Sequence, residues 1–195
     1  MSPTSIWKAP PHRARPRGQA LVEFAIVLPI LALLLLGIIQ FAFIFAAQIG
    51  VTNAVREAAR IAAVSPTADN AQAGTNAQNV YLRLTNTTNG LLKQNVFAFN
   101  SANIVRSTDI AAATGYTQVC YRDAPAAAAG EFTVFVKVQA VYRHPIFIPL
   151  LGALLDGIDG VSDGGLRIAT AEEMRVENQT LLVSPNPLVS ACYNP

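Results

Sequence analysis

From Gly18 the chain reads Gly18-Gln19-Ala20-Leu21-Val22-Glu23-Phe24 and then stays apolar to Ala47, with no charged residue until Arg56. Between Phe24 and Ala47 the one strongly polar side chain is Gln40. About 20 apolar residues cross the hydrocarbon of a bilayer, so residues 19–47 read as a transmembrane helix. From Gln48 the pattern becomes amphipathic: Val51, Val55, Ala58 and Ala62 fall on one side, and Asn53, Arg56, Glu57 and Arg60 on the other. That is the period of a half-buried helix, which makes residues 48–65 a stalk. Ser65-Pro66 ends it, because proline lacks the amide proton and disfavours helix in the residue before it. Unbroken helix from Ala20 to Val64 would be roughly 65 Å long. Pro29 and Gly37 fall inside the span, where neighbouring groups can resatisfy the backbone, and predict at most a mild kink.

Beyond Pro66 the period changes. Ala77, Val80, Tyr81, Leu84, Thr88 and Leu91 recur at helical spacing and predict a helix over 76–93, with 67–75 as a linker or lead-in. Short strands are expected at 95–99 and 103–106, and a further strand at 116–122. Glu131 to Arg143 alternates strictly, with Phe132, Val134, Val136, Val138, Ala140 and Tyr142 on one face. Leu166 to Val176 repeats the pattern with Leu166, Ile168, Met174 and Val176. Period two with β-branched and aromatic residues means strands with one buried face. The expected fold class is therefore α+β: a long N-terminal transmembrane and stalk helix followed by a small antiparallel sheet domain with packed helix. Between the two long strands, Pro145 to Leu155 is too apolar to be simply solvated, and it either folds over the sheet or forms a contact surface.

The chain has 195 residues and a formal charge of +2. Four of its 14 basic residues, Lys8, Arg13, Arg15 and Arg17, precede Gly18, so the remainder holds 10 basic against 12 acidic residues. The basic balance belongs to the leader, which gives no reason to expect nucleic-acid binding. Residues 1–18, with Pro3, Pro10, Pro11 and Pro16, will not hold a core. Cations crowded before the span predict a cytoplasmic N-terminus and an extracytoplasmic domain over 66–195. A secretory signal peptide has an apolar region of about 7–15 residues, shorter than this one, and Phe45-Ala46-Ala47 is a poor cleavage site.

Arg17-Gly18-Gln19-Ala20-Leu21-Val22-Glu23-Phe24, Val27-Leu28-Pro29 and Thr52-Asn53-Ala54-Val55-Arg56-Glu57-Ala58-Ala59-Arg60 together resemble the TadE-like pseudopilins of the tight-adherence (Tad, or Flp) pilus system. The resemblance implies a leader cut between Gly18 and Gln19 by a prepilin peptidase at the inner membrane. Glu23 and Phe24 would then be the fifth and sixth residues of the mature chain, serving processing and subunit pairing. It implies as partners the peptidase, other pilins or pseudopilins and inner-membrane Tad assembly proteins. The expected role is that of a minor pseudopilin-like component, located in the inner membrane or the pilus, that supports pilus biogenesis and adhesion. The residues make physical sense of this: glycine admits close approach of a protease, and a carboxylate at the hydrocarbon edge is costly unless paired or snorkelling. A new α-amine on Gln19 of a neighbouring subunit is a natural partner for Glu23.

Cys120 and Cys192 can pair outside the cytoplasm, closing a loop of about 70 residues. Nothing points to catalysis, a cofactor or a metal. The two histidines are His12 and His144, and Glu172 and Glu173 point to opposite faces of a strand. Asp156, Asp159 and Asp163 lack the spacing of a calcium loop and read as turn residues. The alternative to an assembly component is a binding module held at the membrane by an uncleaved signal anchor.

Overall fold

The computed structural model describes residues 18–67, 69–109, 115–123, 134–148, 152, 164–177 and 191–195. The leader before Gly18, Phe132, the three aspartates at 156, 159 and 163, and most of the apolar loop after Ile148 lie outside these residues. The elements in chain order are α1 (Gln19–Val64), α2 (Asn70–Thr85), α3 (Leu91–Asn95), a 3-10 turn at Ser101–Asn103, β1 (Gln118–Asp123), β2 (Val134–Pro145), β3 (Gly165–Arg175) and β4 (Ala191–Tyr193). The fold class is α+β, with a four-stranded antiparallel sheet in the order β3-β2-β1-β4. The chain divides into two compact units, Met1–Ile38 and Ile39–Pro195.

In the second unit the core lies between the sheet and the helices. Val51, Ala54, Val55, Ala58, Ala59 and Ala62 of α1 are buried, while Asn53, Arg56 and Arg60 stay exposed. The sheet answers with Val119 and Tyr121 of β1 and alternate residues of β2, Val134, Val136, Val138, Ala140 and Tyr142. On β3 the face given by Leu166, Ile168, Met174 and then Val176 is the more buried one, as its alternation requires.

The end of α1 shows why the helix stops where Ser65-Pro66 places it. A helix leaves its last carbonyls without partners, and here the sheet and the following turn supply them. Ser65 Oγ donates to the Ile61 carbonyl at 2.8 Å, Tyr121 Oη to Ala62 at 3.0 Å and the Glu177 amide to Ala63 at 2.9 Å. Arg56 adds an ion pair to Glu172 on β3 at 2.8 Å, and Arg122 on β1 reaches Glu173 at 2.6 Å. Both pairs are largely exposed, so each is worth only about 0–1 kcal/mol. The two adjacent glutamates thus serve opposite faces of the strand.

Three expectations are corrected. The second helix covers 70–85 rather than 76–93. It starts early because Asp69 caps it, accepting from the Gln72 amide at 2.7 Å, and Ala73 extends its buried face. It ends early because Asn86 folds a turn, its Oδ1 accepting from the amides of Thr88 (2.8 Å) and Asn89 (3.1 Å). Gly90 is packed so tightly on the Asn86 backbone that an added Cβ would lie 2.6 Å from its nitrogen. The strand expected at 95–99 is absent: Leu91–Asn95 is the short helix α3, and Ala98 takes a left-handed φ of 52° that breaks an extended run. The strand expected at 103–106 is also absent. Asn100 caps the 3-10 turn, and Ile104 makes just an isolated bridge to Tyr142.

Candidate membrane anchor and processing site

Gly18 sits in the turn before α1, and Gln19 is the first helical residue. The Val22 amide closes the first helical turn onto the Gly18 carbonyl at 3.2 Å. Glu23 lies one turn beyond Gln19 on the same face, and Gln19 Nε2 donates to Glu23 Oε1 at 3.0 Å. Gly18, Gln19 and Glu23 are exposed, as is Phe24, and nothing stands within 4 Å of where a Cβ on Gly18 would be. The backbone on either side of the Gly18–Gln19 bond is therefore open on its flank. The geometry brings Gly18, Gln19 and Glu23 into a single turn with Phe24 next to it, while Cys120 and Cys192 belong to the sheet of the second unit.

Above this turn α1 is the one helix among the described residues long and apolar enough to cross a membrane, and its apolar window is not buried within the protein. Leu21, Ile26, Ile30, Leu34 and Ile38 are each more than half exposed. In water such a surface is unfavourable, while in hydrocarbon each residue of this type gains roughly 0.3–0.6 kcal/mol. Pro29 removes one intrahelical hydrogen bond, to the Ala25 carbonyl, yet the helix continues through it.

Further along, one face of α1 becomes buried. Gln40 is only 1% exposed, and its Oε1 accepts from the Phe147 amide at 3.1 Å. Phe43 stacks on Phe97 with ring centroids 5.5 Å apart and meets Phe147 edge-on at 6.4 Å. His144, buried at the end of β2, lies edge-on to Phe147 at 6.1 Å. Burial holds its imidazole below the ordinary histidine range. The sequence flagged Gln40 as a lone polar residue in an apolar run but gave no means of finding Phe147 as its partner. Of the apolar loop, Ile146 and Ile148 are half-buried and Phe147 remains exposed.

In the sheet, Cys120 of β1 and Cys192 of β4 are directly opposed partners and are disulfide-bonded. β4 itself was not legible from the sequence. Tyr121, next to Cys120, points into the core, and burial pushes its phenol well above the ordinary range. On the stalk, a hydrogen bond from Arg60 is the main cause lowering the Glu57 carboxyl. No group of three metal-ligating side chains occurs among the described residues.

A helix long and apolar enough to cross a membrane, followed by a small four-stranded antiparallel sheet with helices, defines an α+β protein with one candidate membrane span. A family model described as TadE-like protein matches residues 18–60, which agrees with the resemblance carried by those residues. No curated protein and no solved structure matches the chain. The match starts at Gly18 and ends at Arg60, on the stalk face of α1. A TadE-like segment on an apolar helix that can serve as an anchor is consistent with a membrane-associated component of a Tad pilus system.

Proposed function

We propose that the chain is a minor pseudopilin-like component of a Tad pilus, processed by a prepilin peptidase between Gly18 and Gln19 and supporting pilus biogenesis and adhesion. The observation that carries this reading is a coincidence of boundaries: the TadE-like match and the helix begin at the same place, Gly18 and Gln19. The leader's cations keep Met1 to Gly18 on the cytoplasmic side, and the domain of residues 66–195 lies outside the cytoplasm. After cleavage the Gln19 amine of one subunit meets Glu23 of its neighbour. Within the single chain the Gln19 side-chain amide donates to Glu23, which supports the reading of that carboxylate as an acceptor for an N–H donor. Membrane insertion before processing and exchange of the apolar half of α1 between lipid and sister subunits then use the same surface.

N-terminal sequencing of the membrane-extracted protein, from cells that carry the peptidase, tests this. The expected first residue is Gln19. A terminus at Met1 or Ser2 would instead mark an uncleaved anchor holding a binding module, and one beyond Ala47 a removed signal peptide. Either result ends the proposal. A Glu23→Ala chain is expected to lose assembly into higher-order species, read by in-cell crosslinking, while still inserting in the membrane.

A further inference from the structure

Where the packed half of α1 begins, the protein shows more aromatic surface than its core uses. Phe97, in the turn after α3, is 68% exposed, and Phe147, just after β2, is 59% exposed. These two residues, 50 apart in sequence, converge on Phe43 of α1. Phe41 and Phe45 are exposed beside it on the same helix. None of the five belongs to the buried core cluster. Exposed apolar rings such as these gain by entering the headgroup–acyl boundary, where Trp, Phe and Leu form the buried face of interfacial segments.

The length of α1 sets the level of this cluster. Starting from Glu23, the first charge of α1, the roughly 20 residues needed to cross the hydrocarbon end near Phe43. Counted along α1, a span that begins at Glu23 thus runs out at Phe43, the residue on which Phe97 and Phe147 converge. A loop at that depth must have its backbone polar groups satisfied by protein, because lipid offers them no partner. The Phe147 amide meets this condition: it donates to Gln40, the lone strongly polar side chain between Phe24 and Ala47. The Gln40 amide is thus engaged through its oxygen, and its Nε2 is buried with no partner among the described residues. His144 behind Phe147 is held neutral by burial, as a group close to lipid needs to be.

We infer that Phe97 and Phe147, with Phe41, Phe43 and Phe45, form an aromatic collar that sits in the interfacial layer of the phospholipid bilayer on the domain's side. This rests on the anchor reading of α1 given above. The collar fixes how deep the domain sits on the membrane, and it would be withdrawn from lipid whenever the subunit leaves the bilayer.

The chain's one tryptophan, Trp7, lies in the leader, so a Trp7→Phe background allows single-tryptophan reporters in the full chain. The proteins Phe147→Trp and Phe97→Trp are reconstituted into phosphatidylcholine–phosphatidylglycerol vesicles, unbrominated or with acyl chains brominated either near the glycerol or near the methyl ends. Leu33→Trp reports the apolar half of α1, and Leu82→Trp reports an exposed site on α2. The expected result is stronger quenching at 147 and 97 by bromine near the glycerol than by bromine near the methyl ends, the reverse order at 33, and position 82 unchanged. Quenching at 33 with none at 147 and 97 overturns the collar and leaves the anchor standing. No quenching at 33 overturns both. Emission at 147 that is shielded from aqueous iodide yet untouched by brominated lipid marks a second copy of the chain as the occupant, and overturns the lipid assignment.

Discussion

Gly50 and Gly74 both sit inside helices, yet replacing each with alanine is expected to change stability in opposite directions. Alanine is favoured over glycine within a helix by about 1 kcal/mol, and at Gly74 of α2 nothing lies within 4 Å of the added methyl. Gly74→Ala should therefore stabilise by up to about 1 kcal/mol. Gly50 is buried where α1 passes the end of α3. A Cβ there would run into the Asn95 carbonyl oxygen and lie 2.9 Å from its carbon and 3.2 Å from Val96 Cα. These are backbone atoms, so relief requires moving α3 itself. Overpacking of this kind costs about 1–3 kcal/mol; because backbone rather than a flexible side chain must move, the upper part of that range applies, and after the propensity gain Gly50→Ala is destabilised by up to about 2 kcal/mol. For a chain of this size, about 1 kcal/mol moves the midpoint by roughly 2–4 °C. Near-ultraviolet circular dichroism of the full chain in detergent reads the domain through its buried tyrosines, Tyr81, Tyr121 and Tyr142, while micelle-bound helix persists. A Gly50→Ala midpoint equal to or above the parent's would refute the close packing of α1 on α3.

Cys120→Ser opens a link between residues 72 apart and is expected to cost up to roughly 4 kcal/mol by loop entropy; faster hydrogen exchange at Ala191–Tyr193 would locate the loss, and an unchanged midpoint would count against it. Tyr121→Phe removes the bond to the Ala62 carbonyl, which keeps the Ser65 amide at 3.2 Å, so a loss near 1 kcal/mol is expected, measured by urea unfolding. His144 has its folded pKa lowered by burial, and neither ring nitrogen finds a partner among the described residues. The unfolded chain therefore binds the proton first: stability is complete above about pH 6.5 and falls as pH drops below it. In a chain beginning at Gln19 this is the sole histidine, so His144→Phe should flatten the midpoint between pH 7.5 and 5, and an unchanged slope would contradict the assignment.

What the sequence could convey depended on how far each element's signal is local. α1 was legible over its whole length because an uncharged run followed by a 3.6 period ending at Ser65-Pro66 admits few other structures. β2 and β3 were legible because alternation over ten or more residues fixes both the strand and its buried face. By contrast, Ala191-Cys192-Tyr193 is too short for any period to show, and its place beside β1 is set by a partner 72 residues away. The region 86–106 misled for a related reason. Its apolar residues suit strands, but Asn86, Gly90, Ala98 and Asn100 impose turns through side-chain bonds and a left-handed backbone that hydrophobicity does not register. At the candidate site, Gly18, Gln19, Glu23 and Phe24 were readable since they are neighbours in sequence. The Gln40–Phe147 contact spans 107 residues and was not.

The outer face of the sheet carries Arg122 of β1, Lys137 and Gln139 of β2, and Glu173 and Arg175 of β3, with Phe135 of β2 among them. Two chemically different grips are thus built into one small protein. A neighbour that engages this face meets mainly charged and polar groups, and its hold should slacken as salt is raised past the point where the Debye length shrinks below about 8 Å. A neighbour that engages the free half of α1 should be indifferent to salt and yield to detergent, so the two reagents can sort which surface any given contact uses.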